Sequence, residues 1–219
     1  MPGMTWTDIG PWALSDLLLP LVIVAAAAYL CGCFNGAVIV SKYILRDDVR
    51  RHGSGNAGLT NFYRVFGKQK ILLVILADVL KTVIAVLAGA ALFHWAGNDP
   101  IIGKLLGGLL CMVGHMFPFQ FEFKGGKGVL AGGTMACFMG WKVAVAVWGI
   151  FFLMVILTRF VSRGSVGAGV LYPISVGLVY QNLWYTLLAL VAGGLLVWRH
   201  KDNIKRLLRG EESKLKLHK

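Results

Sequence analysis

The sequence predicts an all-α integral membrane protein with about seven transmembrane helices, and three observations carry that expectation. Of its 219 residues, 57% are hydrophobic and only 15% are charged, well under the quarter usual in soluble domains. Several apolar stretches are each long enough to cross a hydrocarbon core of roughly 30 Å. Lys and Arg are crowded into alternate connections, as the positive-inside rule requires.

The expected segments run about 17–45, 71–95, 101–119, 128–140, 142–160, 164–180 and 182–199. The first fifteen residues carry no basic region and no small-residue cleavage site, so the first apolar stretch is expected to stay as a membrane helix. The fourth segment is short, which suits a half-helix or a re-entrant element. The alternative is one long helix over 129–160, but Gly140-Trp141-Lys142 offers a break with an interfacial aromatic. Asp78 and Lys81 lie three apart inside the second segment. Ionisable groups at that depth need a partner, and these two are expected to pair.

The connections set the orientation. Connection 46–70 carries Arg46, Arg50, Arg51, Arg64, Lys68 and Lys70, while 96–100 carries no Lys or Arg. Lys124 and Lys127 mark 120–127, Arg159 and Arg163 mark the link near 161, and the tail after Trp198 is basic. This alternation predicts an outside N-terminus, a cytoplasmic C-terminus, and one face that collects the polar chemistry. The net charge of +12 then reads as orientation and attraction to anionic lipid or anionic substrate rather than to nucleic acid. Cys31, Cys33, Cys111 and Cys137 all lie in apolar stretches without a CxxC pair, so neither a disulfide framework nor a metal site is expected.

Three stretches on that face carry chemistry. "RHGSGNAGLTNFYR" groups Gly53, Gly55 and Gly58 with Ser54, Asn56, Thr60 and Asn61, between Arg51 and Arg64. Glycines permit positive φ and close backbone approach, so successive N–H groups are expected to form an anion nest, and the arginines to grip phosphate. A plain flexible loop is the competing reading. "GHMFPFQFEFKGGKG" puts Gly125, Gly126 and Gly128 around Lys127 just before the fourth apolar segment, an arrangement like a phosphate cradle at a helix N-terminus. It is not a Walker A motif, since no GxxxxGK[ST] is present, and positive-inside lysines are the simpler reading. Phe117, Phe119, Phe121 and Phe123 alternate there, suiting an interfacial belt or an acyl-chain contact. In "WRHKDNIKRLLRGEE", helical spacing aligns Arg199, Asn203 and Arg206, with His200 three before Asn203 and Gly210 as a C-terminal cap. An amphipathic tail lying on anionic lipid is the alternative. "HWAGND", His94 to Asp99, matches an HxxxxD acyltransferase spacing but falls on the opposite face, away from every basic connection.

Together the three stretches resemble the cytoplasmic signatures of the bacterial acyl-phosphate:glycerol-3-phosphate acyltransferases, the PlsY family, in order and spacing over nearly the whole chain. The sequence departs where the family often has GSIP, here "GCFN" at 32–35, and Thr134 stands several residues beyond the position expected after KGGKG. The resemblance implies acyl transfer from acyl phosphate to the primary hydroxyl of glycerol 3-phosphate, in a bacterial cytoplasmic membrane, by a monomer of one polytopic domain (residues 1–219) without cofactor or metal. It implies that Lys127, Arg51, Arg64, Arg206 and the glycine-loop N–H groups, Gly53, Gly55, Gly125, Gly126 and Gly128 among them, serve the two phosphates. It further implies that His200 and Asn203 position substrate, Ser54 binds phosphate, and Ser165 reaches the site. Either His200 or a substrate phosphate takes the hydroxyl proton. The rival class is a small transporter or scramblase for an anionic lipid or organic phosphate, which requires polar groups along a path to both faces.

Overall fold

A computed structural model describes residues 13–215, with side chains from Leu17 onward. The expected outside N-terminus and the last four residues of the basic tail lie outside the described residues. Every regular element among the described residues is helical.

Helix α1 (Ala13–Cys33) stops at Phe34, and Asn35 restarts the chain by accepting the N–H of Val38 at 3.0 Å. That side chain caps α2 (Gly36–Ile39), which runs into a π-helical turn, Val40–Ile44. A 3₁₀ turn over Val49–Arg51 and the amphipathic α3 (Leu59–Phe66) follow. Two long helices come next, α4 (Ile71–Trp95) and α5 (Pro100–Met116). Asp99 caps the second, accepting from Ile101 N at 2.8 Å, with Pro100 in the first turn. The remaining helices are α6 (Val129–Phe138), α7 (Trp141–Thr158), α8 (Val161–Tyr180), α9 (Leu183–Arg199) and α10 (Lys201–Leu208).

Among the described residues, four helical stretches are long and apolar enough to cross a membrane: Leu17–Ile44, Ile71–Trp95, Pro100–Phe121 and Trp141–Thr158. A fifth arises if α9 and α10, bent by 54°, count as one broken span. The sequence predicts seven segments; with that fifth counted, two of the seven still fall short, for distinct reasons. Helix α8 has the length, but Ser162, Arg163, Ser165 and its glycines dilute its apolar character. Helix α6 has ten residues, so at 1.5 Å per residue it covers about half of a hydrocarbon core. It is the half-helix that its length suggests, and Gly140, at φ 96°, separates it from α7. One continuous helix over 129–160 is thereby excluded.

Helix α4 packs along α5, with α1 across both, while α7, α8 and α9 pack side by side. Small residues let the backbones approach: a Cβ on Gly107 would strike the carbonyl of Ala85 on α4. The core between the two groups is built from Leu105, Met112 and Met116 of α5 against Met135, Val147 and Ala189. Large apolar side chains such as Leu18, Leu80, Ile84, Ile156 and Leu178 face outward, as lipid contact requires.

Candidate active site

The three sequence stretches and the start of α8 meet around one cavity of about 580 Å³. Its polar end is lined by Ser54, Asn56, Arg64, Lys127, His200 and Asn203. Ile71, Ile75, Phe151, Phe152 and Val155 form an apolar wall.

Helix N-termini add to the positive charge of Lys127 and Arg64. Helices α3, α6 and α8 begin after Gly58, Gly128 and Phe160, and none of the three carries a side-chain cap. Their first turns, through Leu59 and Thr60, Val129 and Leu130, and Val161 and Ser162, all line the cavity. Uncapped first-turn N–H groups and the positive dipole ends favour an anion there.

The glycine stretches act differently from the expected nests. Gly125 N donates to Met116 O at 3.2 Å and Gly126 N to His115 O at 3.1 Å. In the first loop, Gly55 N donates to His52 O at 3.0 Å and Gly58 N to Asn56 O at 3.0 Å. These N–H groups hold the loops folded and are not aimed at a ligand. Gly126 is needed for space, since a Cβ there would meet His115 Nε2 and lie 2.8 Å from Ala57 O, and Gly55 for its φ of 70°. Asn61 is likewise committed to its loop. It accepts from Ser54 N at 2.9 Å and donates to Val49 O and His52 O, both at 3.1 Å. It shapes the wall rather than offering a free amide.

Arg199 straps the second loop down. Its Nη2 donates to Gly126 O at 3.0 Å, and its guanidinium lies 5.0 Å from the Phe117 ring centre. Beyond the strap, Lys127 Nζ donates to Asn203 Oδ1, and Asn203 Nδ2 donates to Glu212 Oε1 at 2.7 Å. Ser162 Oγ donates to the same oxygen at 2.8 Å, and Arg206 Nε reaches Glu212 Oε2 at 2.7 Å. Burial alone would raise the Glu212 carboxyl pKa, but the bonds from Asn203, Arg206 and Ser162 outweigh it and hold the group below the usual range. Burial, with the Arg206 charge behind it, pulls Lys127 down to about 8.

His200 sits at the bend between α9 and α10 and is 3% exposed. Its Nδ1 lies 2.8 Å from Leu196 O. A carbonyl only accepts, so Nδ1 carries the proton and Nε2 keeps its lone pair. Burial lowers its pKa to about 4, against the raising effect of the Leu196 bond and with help from the Lys127 charge. Gly210 closes α10 at φ 73°, as expected. The chain then doubles back: Leu215 N donates to Arg159 O at 2.8 Å, and Arg64 Nη2 to Ser213 O at 3.3 Å.

Of the expected site residues, Ser54, Asn56, Thr60, Asn61, Arg64, Lys127, Gly128, Ser165, His200 and Asn203 line the cavity. Ser165 Oγ donates to Val161 O at 2.9 Å, which leaves its oxygen free to accept. Arg51, Gly53 and Gly55 are exposed on the outer side of their loop and do not line it. Gly125 and Gly126 lie behind Lys127, and Arg206 acts through Glu212. The alternating phenylalanines also stay out of the cavity. Phe121 packs with Val38 and Ala57, Phe117 against Trp198, and Phe119 and Phe123 are exposed. Glu212, Ser162 and His115 are absent from the set that the sequence predicts. Asp99 serves as the α5 cap and accepts from Tyr185 Oη, so the HxxxxD match has a structural role. Asp78 and Lys81 pair at 2.8 Å as expected, but the pair also enlists His115, and Asp78 and His115 reach the cavity wall.

Known proteins resemble this chain over most of its length. The model of the family described as glycerol-3-phosphate acyltransferase matches residues 22–210. A glycerol-3-phosphate acyltransferase of Thermoanaerobacter pseudethanolicus is 37% identical over 194 residues, covering 89% of this chain and 95% of its own. One from Finegoldia magna is 34% identical over 199 residues, covering 90% and 97%. The crystal structure of PlsY, an integral membrane glycerol 3-phosphate acyltransferase, in its glycerol 3-phosphate form superposes with a TM-score of 0.81 at 30% identity, covering 90% of this chain and 96% of that one. Its lysophosphatidic acid form gives 0.78. The chain belongs to the glycerol-3-phosphate acyltransferase family.

Proposed function

We propose that this membrane acyltransferase moves a fatty acyl group from acyl phosphate to the primary hydroxyl of glycerol 3-phosphate, giving 1-acyl-glycerol 3-phosphate and orthophosphate. The observation that carries this reading is the composition of the cavity: an anion-attracting end fused to an apolar wall. The donor is a mixed anhydride, already activated, so two bound substrates and no covalent enzyme intermediate suffice. The hydroxyl oxygen attacks the carbonyl carbon, the carbon–oxygen bond to phosphate breaks, and phosphate leaves with that electron pair. Holding both partners in register contributes up to ~7–11 kcal/mol of barrier lowering in well-oriented reactions.

The roles follow from the contacts. Lys127, Arg64 and the three helix N-termini serve the phosphates, and Ser54 and Thr60 add hydroxyl donors. His200 Nε2 accepts the attacking hydroxyl and orients it. With its pKa drawn down to about 4, it holds a proton poorly, so the proton passes to a substrate phosphate oxygen. Asn203 fixes Lys127. The apolar wall takes the acyl chain. The enzyme works as a monomer of one domain, residues 1–219, in the bacterial cytoplasmic membrane. Its seven membrane segments include the half-length α6, with the N-terminus outside and the C-terminus and site at the cytoplasmic face.

Purified protein supplied with acyl phosphate and labelled glycerol 3-phosphate is expected to release lysophosphatidate and phosphate one for one, with acyl-CoA inert. Label crossing vesicle walls without product would favour the transporter reading.

A further inference from the structure

Inside the apolar helix cluster lies a polar group to which the proposed reaction gives no task. Asp78 and Lys81 on α4 and His115 at the end of α5 are 2%, 5% and 5% exposed. Lys81 Nζ donates to Phe34 O at 2.7 Å and Gly32 O at 3.2 Å, which ties off the broken end of α1. It also contacts Asp78 Oδ1 at 2.8 Å and His115 Nδ1 at 2.9 Å. Asp78 Oδ1 accepts in addition from Gly36 N at 3.1 Å. As a structural knot, the Asp78–Lys81 pair needs no imidazole.

The tautomer of His115 follows from its neighbours. An ammonium has no lone pair and three N–H groups. Its three shortest contacts, Phe34 O, Asp78 Oδ1 and the imidazole Nδ1, take one each, with Gly32 O sharing at 3.2 Å, so Nδ1 is the acceptor. The Asp78 carboxylate is farther from Nδ1, at 3.5 Å. The proton therefore sits on Nε2. Among the described residues no protein group accepts it; Gly126 packs against that nitrogen, and His115 lines the cavity. That N–H is not sealed off from solvent, so water or a ligand atom can accept from it.

Its place in the cavity indicates what that ligand atom is. Ile71, Ile75 and Asp78 share one face of α4 by spacing, and all three line the cavity. The His115 imidazole thus stands at the seam between the apolar wall and the polar end. The phosphates have cations and helix termini; the substrate atom at the seam is the acyl carbonyl. On the proposed acyl-phosphate reading, we propose that His115 Nε2–H is a hydrogen-bond donor to the acyl carbonyl oxygen, stabilising the oxyanion formed as the hydroxyl adds, with Lys81 and Asp78 as positioning residues that hold its tautomer.

The test separates the two ring nitrogens. His115→Asn keeps a side-chain oxygen near the Nδ1 position for Lys81 but offers no donor at the Nε2 position. His115→Gln places an amide donor there instead. Loss of one oxyanion donor is expected to lower kcat about 10²-fold in His115→Asn, with KM for glycerol 3-phosphate within about threefold and partial recovery of kcat in His115→Gln. A kcat for His115→Asn within about threefold of wild type overturns the proposal, as does an equal loss in both variants when both stay folded. If the variants do not fold, ¹⁵N-histidine spectra of the wild-type enzyme decide. A protonated Nε2 whose signal moves on adding a long-chain acylphosphonate supports the proposal; a protonated Nδ1, or a signal that does not move, overturns it. Wild-type turnover with acyl phosphate, run beside these, tests the underlying reading separately.

Discussion

Lys127 donates to Asn203, and Asn203 in turn donates to Glu212 at 2.7 Å, so the lysine of the second glycine stretch is aimed by a residue 76 positions later in the chain. The amide cannot flip, because its oxygen faces an ammonium and its nitrogen a carboxylate. The KGGKG loop and the C-terminal helix are thereby one device.

Asn203→Ala is expected to lower kcat/KM about 10²-fold through a misplaced Lys127, chiefly as a raised KM for phosphate-bearing substrate. Asn203→Asp, which keeps an acceptor for Lys127 but faces Glu212 with a second carboxylate, is expected to lose stability as well. Steady-state kinetics beside a melting curve in detergent checks both.

Glu212→Ala leaves the Asn203 and Ser162 donors without their acceptor and Arg206 without its ion partner. Arg206 is 40% exposed along its side chain, so solvent screens its share, and a loss of ~2–3 kcal/mol follows mainly from the stranded donors. Because the folded pKa is depressed, the Glu212 contribution is present above its unfolded value near 4.5 and disappears as pH falls through the lower folded value. Wild-type melting temperature should therefore drop on acidification below ~4.5 by more than that of Glu212→Gln.

Lys127, with its pKa drawn down to about 8, binds an anion as the ammonium. In the free enzyme it is charged below that value and discharges above it. Affinity for the phosphate-bearing substrate is thus expected to be flat below about pH 8 and to weaken as pH rises beyond it. KM measured from about pH 6.5 to 9.5 tests this, and Lys127→Arg should abolish the upper limb.

For His200, the pKa near 4 predicts no acid limb in kcat from its own titration between about pH 6 and 7. His200→Ala is expected to lower kcat about 10²-fold without changing the shape of the profile. A wild-type inflection near ~6.5 that vanishes in His200→Ala would instead mark it as the base.

Gly126→Ala forces a methyl group against His115 and Ala57 O, and the loop must move. A drop in kcat/KM of more than ~10²-fold is expected, since a misplacement near 1 Å costs about that much, with the melting temperature changed little.

Much of this site is legible from residue types. Polar residues in an apolar chain need a common place to go, and the basic connections say which stretches share it. His200, Asn203, Lys127 and Ser165 do line one cavity. The direction of backbone N–H groups is not legible. A glycine at 125 or 126 reads equally as a nest or as a clearance, and only the pairing of its N–H with Met116 or His115 decides. Each of the three uncapped helix starts is a local fact, whereas their convergence is a tertiary one that no single stretch displays. His115 stands in the second motif, but its importance depends on Lys81, 34 residues away in sequence. The count of seven segments comes from apolar stretches checked by charge alternation, which marks sides and not helix lengths, and α6 has only ten residues.

The doubled-back end of the chain has a practical side. Residues 212–215 hold Asn203, Arg206, Arg64 and the α7–α8 link at once. Truncation after Gly210 would keep every described helix and still lose the clasp that keeps them working together. An affinity handle on this terminus loads the segment that carries the clasp, so purification tags belong at the other terminus.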